Sequence, residues 1–288
     1  MKNSKIFYPH SSLQRPGKET DMNSKSLQFI LKFDMTPPYD QAYRCAADTL
    51  SCPSSVSVDS AAADSADSMI ILCDTDKAIG RHKAKGLPVI AVSHTGNSSE
   101  ELMGTPWLIL SPEALTRDFL YKVYCRHYER PMWILETERC RLRELSAEDF
   151  DALLLLQKEN AQNPEGCFFP AGCDNPEDFL MNYIRHQYPF FDFGLYAVLE
   201  KETGNFMGIA GFTGITEIAS DGISLSAEVS YALLQKYQRR GLAKEVLLAL
   251  LSYGRKTGGF RQFTARIRPD NVASAALAKK CGIQIYTI

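Results

Sequence analysis

The stretch SAEVSYALLQKYQRRGLAKEVLLALLSYGRK (226–256) changes its hydrophobic period halfway along, and few folds accommodate that change. Ala227, Val229, Tyr231 and Leu233 alternate with Ser226, Glu228 and Ser230, the period of a strand with one packed face and one polar face. Beyond Gly241 the apolar positions are Ala243, Val246, Leu247, Leu250 and Tyr253, a stripe at helical spacing. The turn from Gln238 to Ala243 therefore joins a strand directly to a core-packed helix. The first amides of such a helix have no partner within it and carry partial positive charge. Gly241 lets an anion approach the backbone, the small Ala243 keeps the first turn open, and Arg239 and Arg240 add charged donors. This is the chemistry of a phosphate cradle. It is not a P-loop, because no G-x-x-x-x-G-K-[ST] occurs and no G-x-G-x-x-G follows a strand.

The surroundings extend the pattern. QFTARIR (262–268) alternates as a second half-buried strand, and NVASAALAKKC (271–281) reads as a helix. Upstream, TERCRLREL (137–145) reads as a strand, and Ser146 with Asp149 as a helix start before FDALLLLQ. NPEDFLMNYIRHQY is a further helix. GLYAVLEK and FMGIAGFTGITE form a hairpin across ETGN.

Q-R-R-G-L-A fits the Q/R-x-x-G-x-G/A signature of the GNAT superfamily of N-acetyltransferases, and the order strand, cradle, helix, strand, then RPDNVASAALAKKCGI matches as well. The opening LETERCRLRELSAEDFDAL resembles the branch that acetylates the N-termini of ribosomal proteins. The resemblance covers roughly 132–288. It implies a mixed, mostly antiparallel sheet flanked by helices, and transfer of acetyl from acetyl-CoA to an amine by direct attack in a ternary complex. It places the amides of Arg239, Arg240, Gly241, Leu242 and Ala243 on the pyrophosphate, with Gln238 opening the motif. Main-chain groups near Leu233 and Leu234 then lie beside the thioester, and Asn271 and Ser274 touch the cofactor. Asn271 is equally a good helix N-cap, and Ser274 a common first-turn residue. The attacking amine needs a base, and Glu228, on the polar strand face, is the candidate; a solvated strand glutamate is its plain alternative and Glu217 its rival. Two departures stand out. Ala278 occupies the position where many relatives carry the tyrosine that protonates the leaving thiolate, so the acid is unassigned. Only IQIYTI remains for the final strands, which supplies one. A sensor that binds acyl-CoA without transferring it is the alternative reading. Aromatics crowd residues 167–193; most read as core, a few as lining for an acceptor.

The N-terminal part is a separate α/β unit. MIILC (69–73), PVIAVS (88–93) and PWLIL (106–110) are buried strands around a helix DKAIGRHKAKG, giving a small three-layer domain with a mostly parallel sheet. The expected division is a loose tail over 1–25, this domain over 26–125, a linker over 126–131 and the acetyltransferase-like domain over 132–288, an α/β protein throughout. SLQFILKF (26–33) reads as a strand, 53–68 as a loop and 111–131 as a helix running into the linker. The unit weakly resembles the C-terminal part of haloacid dehalogenase-like phosphatases, with Asp74 and Asp76 where those hold magnesium. The Asp-x-Asp nucleophile pair is missing, however, since FDMT retains only Asp34.

Composition closes off other classes. Across 288 residues the formal net charge is -2, which gives no global field for nucleic acid. No apolar run is long enough for a membrane span, and MKNSKIFYPHSSLQ has no apolar signal-peptide core. Eight cysteines include no C-x-x-C, and five histidines show no metal spacing. The expectation is a reduced cytoplasmic protein without a metal, which binds neither nucleic acid nor membrane and is open to homo-oligomerisation.

Overall fold

The computed structural model describes residues 29–50, 54–55, 69–162, 167–218 and 224–288. The tail expected over 1–25, the start of the strand read from 26 and most of the loop read over 53–68 lie outside the described residues.

The N-terminal sheet is wholly parallel. It comprises β1 (Ile30–Asp34), β2 (Ser54–Ser55), β3 (Met69–Cys73), β4 (Val89–Val92) and β5 (Leu108–Ile109), in the order β2-β1-β3-β4-β5. The strands read as unbroken apolar runs because both faces are covered. Leu31, Phe33, Ile70, Leu72, Ile90 and Val92 pack with α1 (Asp40–Thr49) and α3 (Arg117–His127). Ile71, Cys73, Val89 and Ala91 pack with α2 (Asp76–Lys83) on the other side. This is the three-layer arrangement expected.

Three details differ from the sequence reading. Ser54–Ser55 pair with Leu31 and Lys32 as an edge strand, which small polar residues do not announce. The helix read over 111–131 is a 3-10 turn, Pro112–Ala114, followed by α3, whose start is fixed by Thr116 Oγ1 accepting from Phe119 N–H. α3 also runs through Arg126 and His127, the first two residues of the segment read as linker.

The second sheet has the order β12-β11-β10-β9-β8-β7-β6. Its strands are β6 (Trp133–Glu136), β7 (Cys140–Glu144), β8 (Leu195–Glu200), β9 (Phe206–Glu217), β10 (Leu225–Leu233), β11 (Phe260–Ile267) and β12 (Gln284–Thr287). β6 to β10 are antiparallel neighbours, whereas β10–β11 and β11–β12 are parallel pairs. β6 was hidden by the Pro131 that reads as a boundary. α4 (Phe150–Glu159), α5 (Pro176–Phe191), α6 (Leu242–Thr257) and α7 (Val272–Cys281) flank the sheet. Ser146 and Asp149 form the capping box expected before α4. The aromatic segment is chiefly core, as read: Phe168, Phe169 and Tyr188 are buried, while Phe190 and Phe191 are exposed at the end of α5. Tyr188 earns its burial with its hydroxyl, which accepts from Leu145 N–H at 3.0 Å and donates to the Leu195 carbonyl. No helix among the described residues is long and apolar enough to cross a membrane.

A buried ion pair joins the two sheets' cores. Arg126 of α3 makes a fork to Glu144 of β7 at 2.7 and 2.6 Å, and Met132 N–H donates to the same carboxylate at 3.1 Å. Glu144 is 4% exposed, so loss of its partner strands a charge away from water. Arg126→Ala should lower stability by about 3 kcal/mol in urea unfolding, and the apolar pair Arg126→Met with Glu144→Leu should recover most of it. A single-variant loss below about 0.5 kcal/mol would show that the junction does not depend on this pair.

Candidate functional site

The strand read from its alternation becomes the wall of a cleft. β10 pairs with β11 only from Leu225 to Glu228, against Phe260 to Thr264, and the two strands then part. On its other edge β10 keeps its partner to the end, with Leu233 opposite Gly208. Its register shifts between Glu228 and Val229 because Thr213 is an extra residue in β9. A bulge of this kind bends and twists the pair locally, and it falls where β10 leaves β11.

The parting decides which peptide groups are free. Leu234 N–H donates to the Met207 carbonyl at 2.9 Å, and the Leu234 carbonyl accepts from Tyr237. Antiparallel pairing alternates, so Tyr231 and Leu233 turn their peptide groups to the other edge, toward the gap left by β11. Of the two residues expected beside the thioester, Leu233 turns its N–H to the gap, whereas both main-chain groups of Leu234 are bonded within the chain. Gln238 Nε2 donates to the Leu233 carbonyl at 2.8 Å, which ties the turn to the strand end.

The turn then presents its amides. Arg239 and Gly241 adopt left-handed conformations, with φ of 60° and 79°, and α6 begins at Leu242. Such a sequence of conformations gathers successive N–H groups on one side. The N–H groups of Arg239, Arg240, Gly241, Leu242 and Ala243 make no hydrogen bond to another described residue. A brace below holds the turn in place: Arg139 bonds Glu245 of α6 through its main-chain N–H and Nε, each at 2.8 Å, and its Nη1 donates to the Arg240 carbonyl at 3.1 Å. The Arg240 guanidinium lies over the Tyr237 ring, 5.9 Å from its centroid, and does not line the cleft. Arg240 thus offers the turn its amide and not its side chain.

Between β10, the turn and α7 lies a cavity of about 580 Å³, a size suited to a small-molecule ligand. Val229 to Leu233, Gln238, Arg239, Gly241, Leu242, Ala243, Asn271 and Ser274 all line it. Five basic side chains do so too, Arg239, Lys244, Arg266, Arg268 and Lys280, and no carboxylate. In a chain of net charge -2 this is a local concentration of positive charge. Arg268 is held by Asp270 at 2.7 and 3.1 Å, and Arg266 by Glu228 at 3.0 Å. Asn271 caps α7 by accepting Ser274 N–H at 3.1 Å, so its capping role is real and leaves its amide nitrogen for a ligand. Ser274 Oγ accepts from Tyr231 Oη at 3.1 Å.

Glu228 sits at the last paired position of β10, one residue outside the cavity lining, with Oε1 on Arg266. Glu217, exposed and opposite Leu225, lies farther along the strand edge. Lys244, Lys280, Arg266 and the Arg139–Glu245 brace escaped sequence reasoning. The brace joins residues 106 positions apart and has no local signal.

The N-terminal aspartates do not form a comparable centre. Asp34 pairs with Arg81 and with His82, and burial of its carboxyl is outweighed by those two partners, which hold it below its ordinary range. Asp74 accepts from Thr36 N–H at 2.6 Å and contacts His94 at 3.1 Å, and Asp76 accepts from the amides of Glu101 and Leu102. Asp34, Cys73 and His82 do lie within 4.8 Å of one another, but burial pushes the Cys73 thiol up to about 12, in its neutral form.

The profile of the acetyltransferase (GNAT) domain matches residues 139–284. An uncharacterised N-acetyltransferase of Bacillus subtilis is 26% identical over 156 residues, spanning 52% of this chain and 82% of the relative. The [ribosomal protein uS5]-alanine N-acetyltransferase of Escherichia coli is 29% identical over 105 residues, 36% of this chain and half the length of that enzyme. A GNAT-family structure from Bordetella pertussis aligns with 51% of this chain and 86% of its own, at 26% identity and a TM-score of 0.40. The split strands and free amides thus coincide with a family profile that spans half the sequence: the chain belongs to the GNAT acetyltransferase family, and it is an acyltransferase.

Proposed function

We propose that the domain over 132–288 moves acetyl from acetyl-CoA to an amine by direct attack in a ternary complex. The observation that carries this reading is the gap between β10 and β11, which ends in five unbonded amides at the start of α6. The amides of Arg239 to Ala243 would take the pyrophosphate, helped by the Arg239 and Lys244 side chains. The peptide groups of Leu233 and Tyr231 would bond the pantetheine arm as a strand partner bonds, and their N–H groups would polarise the thioester carbonyl. Asn271 and Ser274 would face the arm from α7.

Glu228 is the base. It lies where the strands begin to part, and Oε2 has no hydrogen-bond partner among the described residues, so it can accept the amine proton through a water. The kinship with an alanine N-acetyltransferase of a ribosomal protein favours a protein N-terminus over a small amine as acceptor. Buried, unpaired thiols such as Cys73, Cys125 and Cys140 support a reducing, cytoplasmic setting. The N-terminal sheet over 26–125 stands as its own domain, with a packing or binding role rather than phosphoryl transfer.

Calorimetric titration with acetyl-CoA tests the cradle. The wild type should bind saturably with micromolar affinity, and Gly241→Glu should not, because it sets a carboxylate among the amides at a φ of 79° that side chains rarely adopt. Absence of wild-type binding would refute the reading. With a panel of peptides as acceptors, Glu228→Gln should keep the acetyl-CoA affinity and lower turnover by about 10²- to 10⁴-fold. Undiminished turnover would pass the role to Glu217.

A further inference from the structure

We propose that Tyr231 is the proton donor to the sulfur that leaves when the acetyl group is transferred. The proposal rests on the acetyl-CoA reading above and supplies the acid that Ala278 does not. Ala278 lies one turn beyond Ser274 on the same face of α7; both line the cavity, and Ala278 brings only a methyl group. The remaining hydroxyls of the lining are those of Ser230, Tyr231, Tyr237 and Ser274. Tyr237 stands at the cradle, flanked by Lys236 at 4.9 Å and Arg240 at 5.9 Å, on the phosphate side of the site. Ser230 precedes Tyr231 in the strand and points to the opposite face. Tyr231 alone combines a peptide group turned to the gap with a phenol that reaches across the cavity to α7.

Its chemistry suits the step. An ordinary phenol ionises near about 10, so it holds its proton at neutral pH and can pass it to a thiolate as that charge develops. Burial pushes the Tyr231 phenol up, more than the Ser274 hydrogen bond draws it down, so it enters the reaction carrying its proton. When the carbon–sulfur bond breaks, its electron pair remains on sulfur, and Oη–H turns from Ser274 Oγ to the sulfur and gives its proton there to form the free thiol. The phenolate regains a proton from solvent by way of Ser274 Oγ, its hydrogen-bond partner at 3.1 Å. The amine loses one proton to the base and thence to solvent. The balance is one proton off nitrogen and one onto sulfur.

The test needs no knowledge of the acceptor. A donor aimed at the sulfur favours the thiolate, so it should lower the pH at which the thiol of bound coenzyme A ionises. That ionisation is followed by thiolate absorbance in the full-length protein saturated with coenzyme A, against a blank saturated with S-methyl-coenzyme A, which has no ionisable sulfur. In Tyr231→Phe it should move up by about one pH unit, a tenfold change, while affinity for S-methyl-coenzyme A stays within about threefold of wild type. A hydroxyl that merely ties β10 to α7 would leave the ionisation where it was, and that result overturns the proposal. Should Tyr231→Phe fail to fold, fluorotyrosine at 231 keeps ring and hydroxyl but strengthens the donor. The ionisation should then move down, and an unchanged value again overturns the proposal. Failure of the wild type to bind coenzyme A would instead remove the acyl-donor reading itself, a result distinguishable from normal binding with an unmoved thiol.

Discussion

Two parallel strands that pair for a few residues and then part leave peptide groups without a strand partner on that edge. Backbone N–H and C=O groups away from water demand partners, and most folds supply them from the neighbouring strand. Here β11 withdraws after Thr264, while β10 continues against β9 through Leu233. The peptide edges of Tyr231 and Leu233 are therefore left facing a cavity, and the same cavity ends at the unpaired amides of a helix start. A ligand that is amide-bearing along its length and anionic at one end meets both demands. Acetyl-CoA has that form.

The rest of the domain keeps this opening from closing. Thr213 bulges β9 at the point of departure, and Gln238 pins the turn to the Leu233 carbonyl. Arg139 and Glu245 anchor the turn from below and draw the Arg240 carbonyl away from the amide side. α7 faces the gap with Asn271 and Ser274 at its start and with Lys280 toward its end. The lining carries five basic groups and no acidic one, although the chain as a whole is slightly acidic, so positive charge is gathered locally at this cavity.

Much of this was legible in the sequence, for reasons that are local. The change of period around Gly241 fixes a strand, a turn and a helix in succession, and a helix start after a glycine has free amides wherever it occurs. The three-layer N-terminal sheet likewise follows from MIILC and PVIAVS, whose apolar residues leave no face for water. What the sequence hid is long-range. The pairing parity that engages Leu234 and frees Leu233 depends on which residue of β9 meets which residue of β10, and a bulge at Thr213 resets it. The Arg240 side chain lies on Tyr237 rather than in the cradle, and the Arg126–Glu144 fork joins α3 to a strand in the other sheet. β2 and β6 are short edge strands whose existence depends on a neighbour, not on their own composition.

Amide hydrogen exchange, read residue by residue with and without acetyl-CoA, tests the central claim most directly. The amides of Tyr231 and Leu233 and those from Arg239 to Ala243 should be slowed together in the complex, while Leu234, already bonded to Met207, should change little. Protection elsewhere, with those amides unaltered, would contradict the assignment of the parted strands as the acyl-donor site.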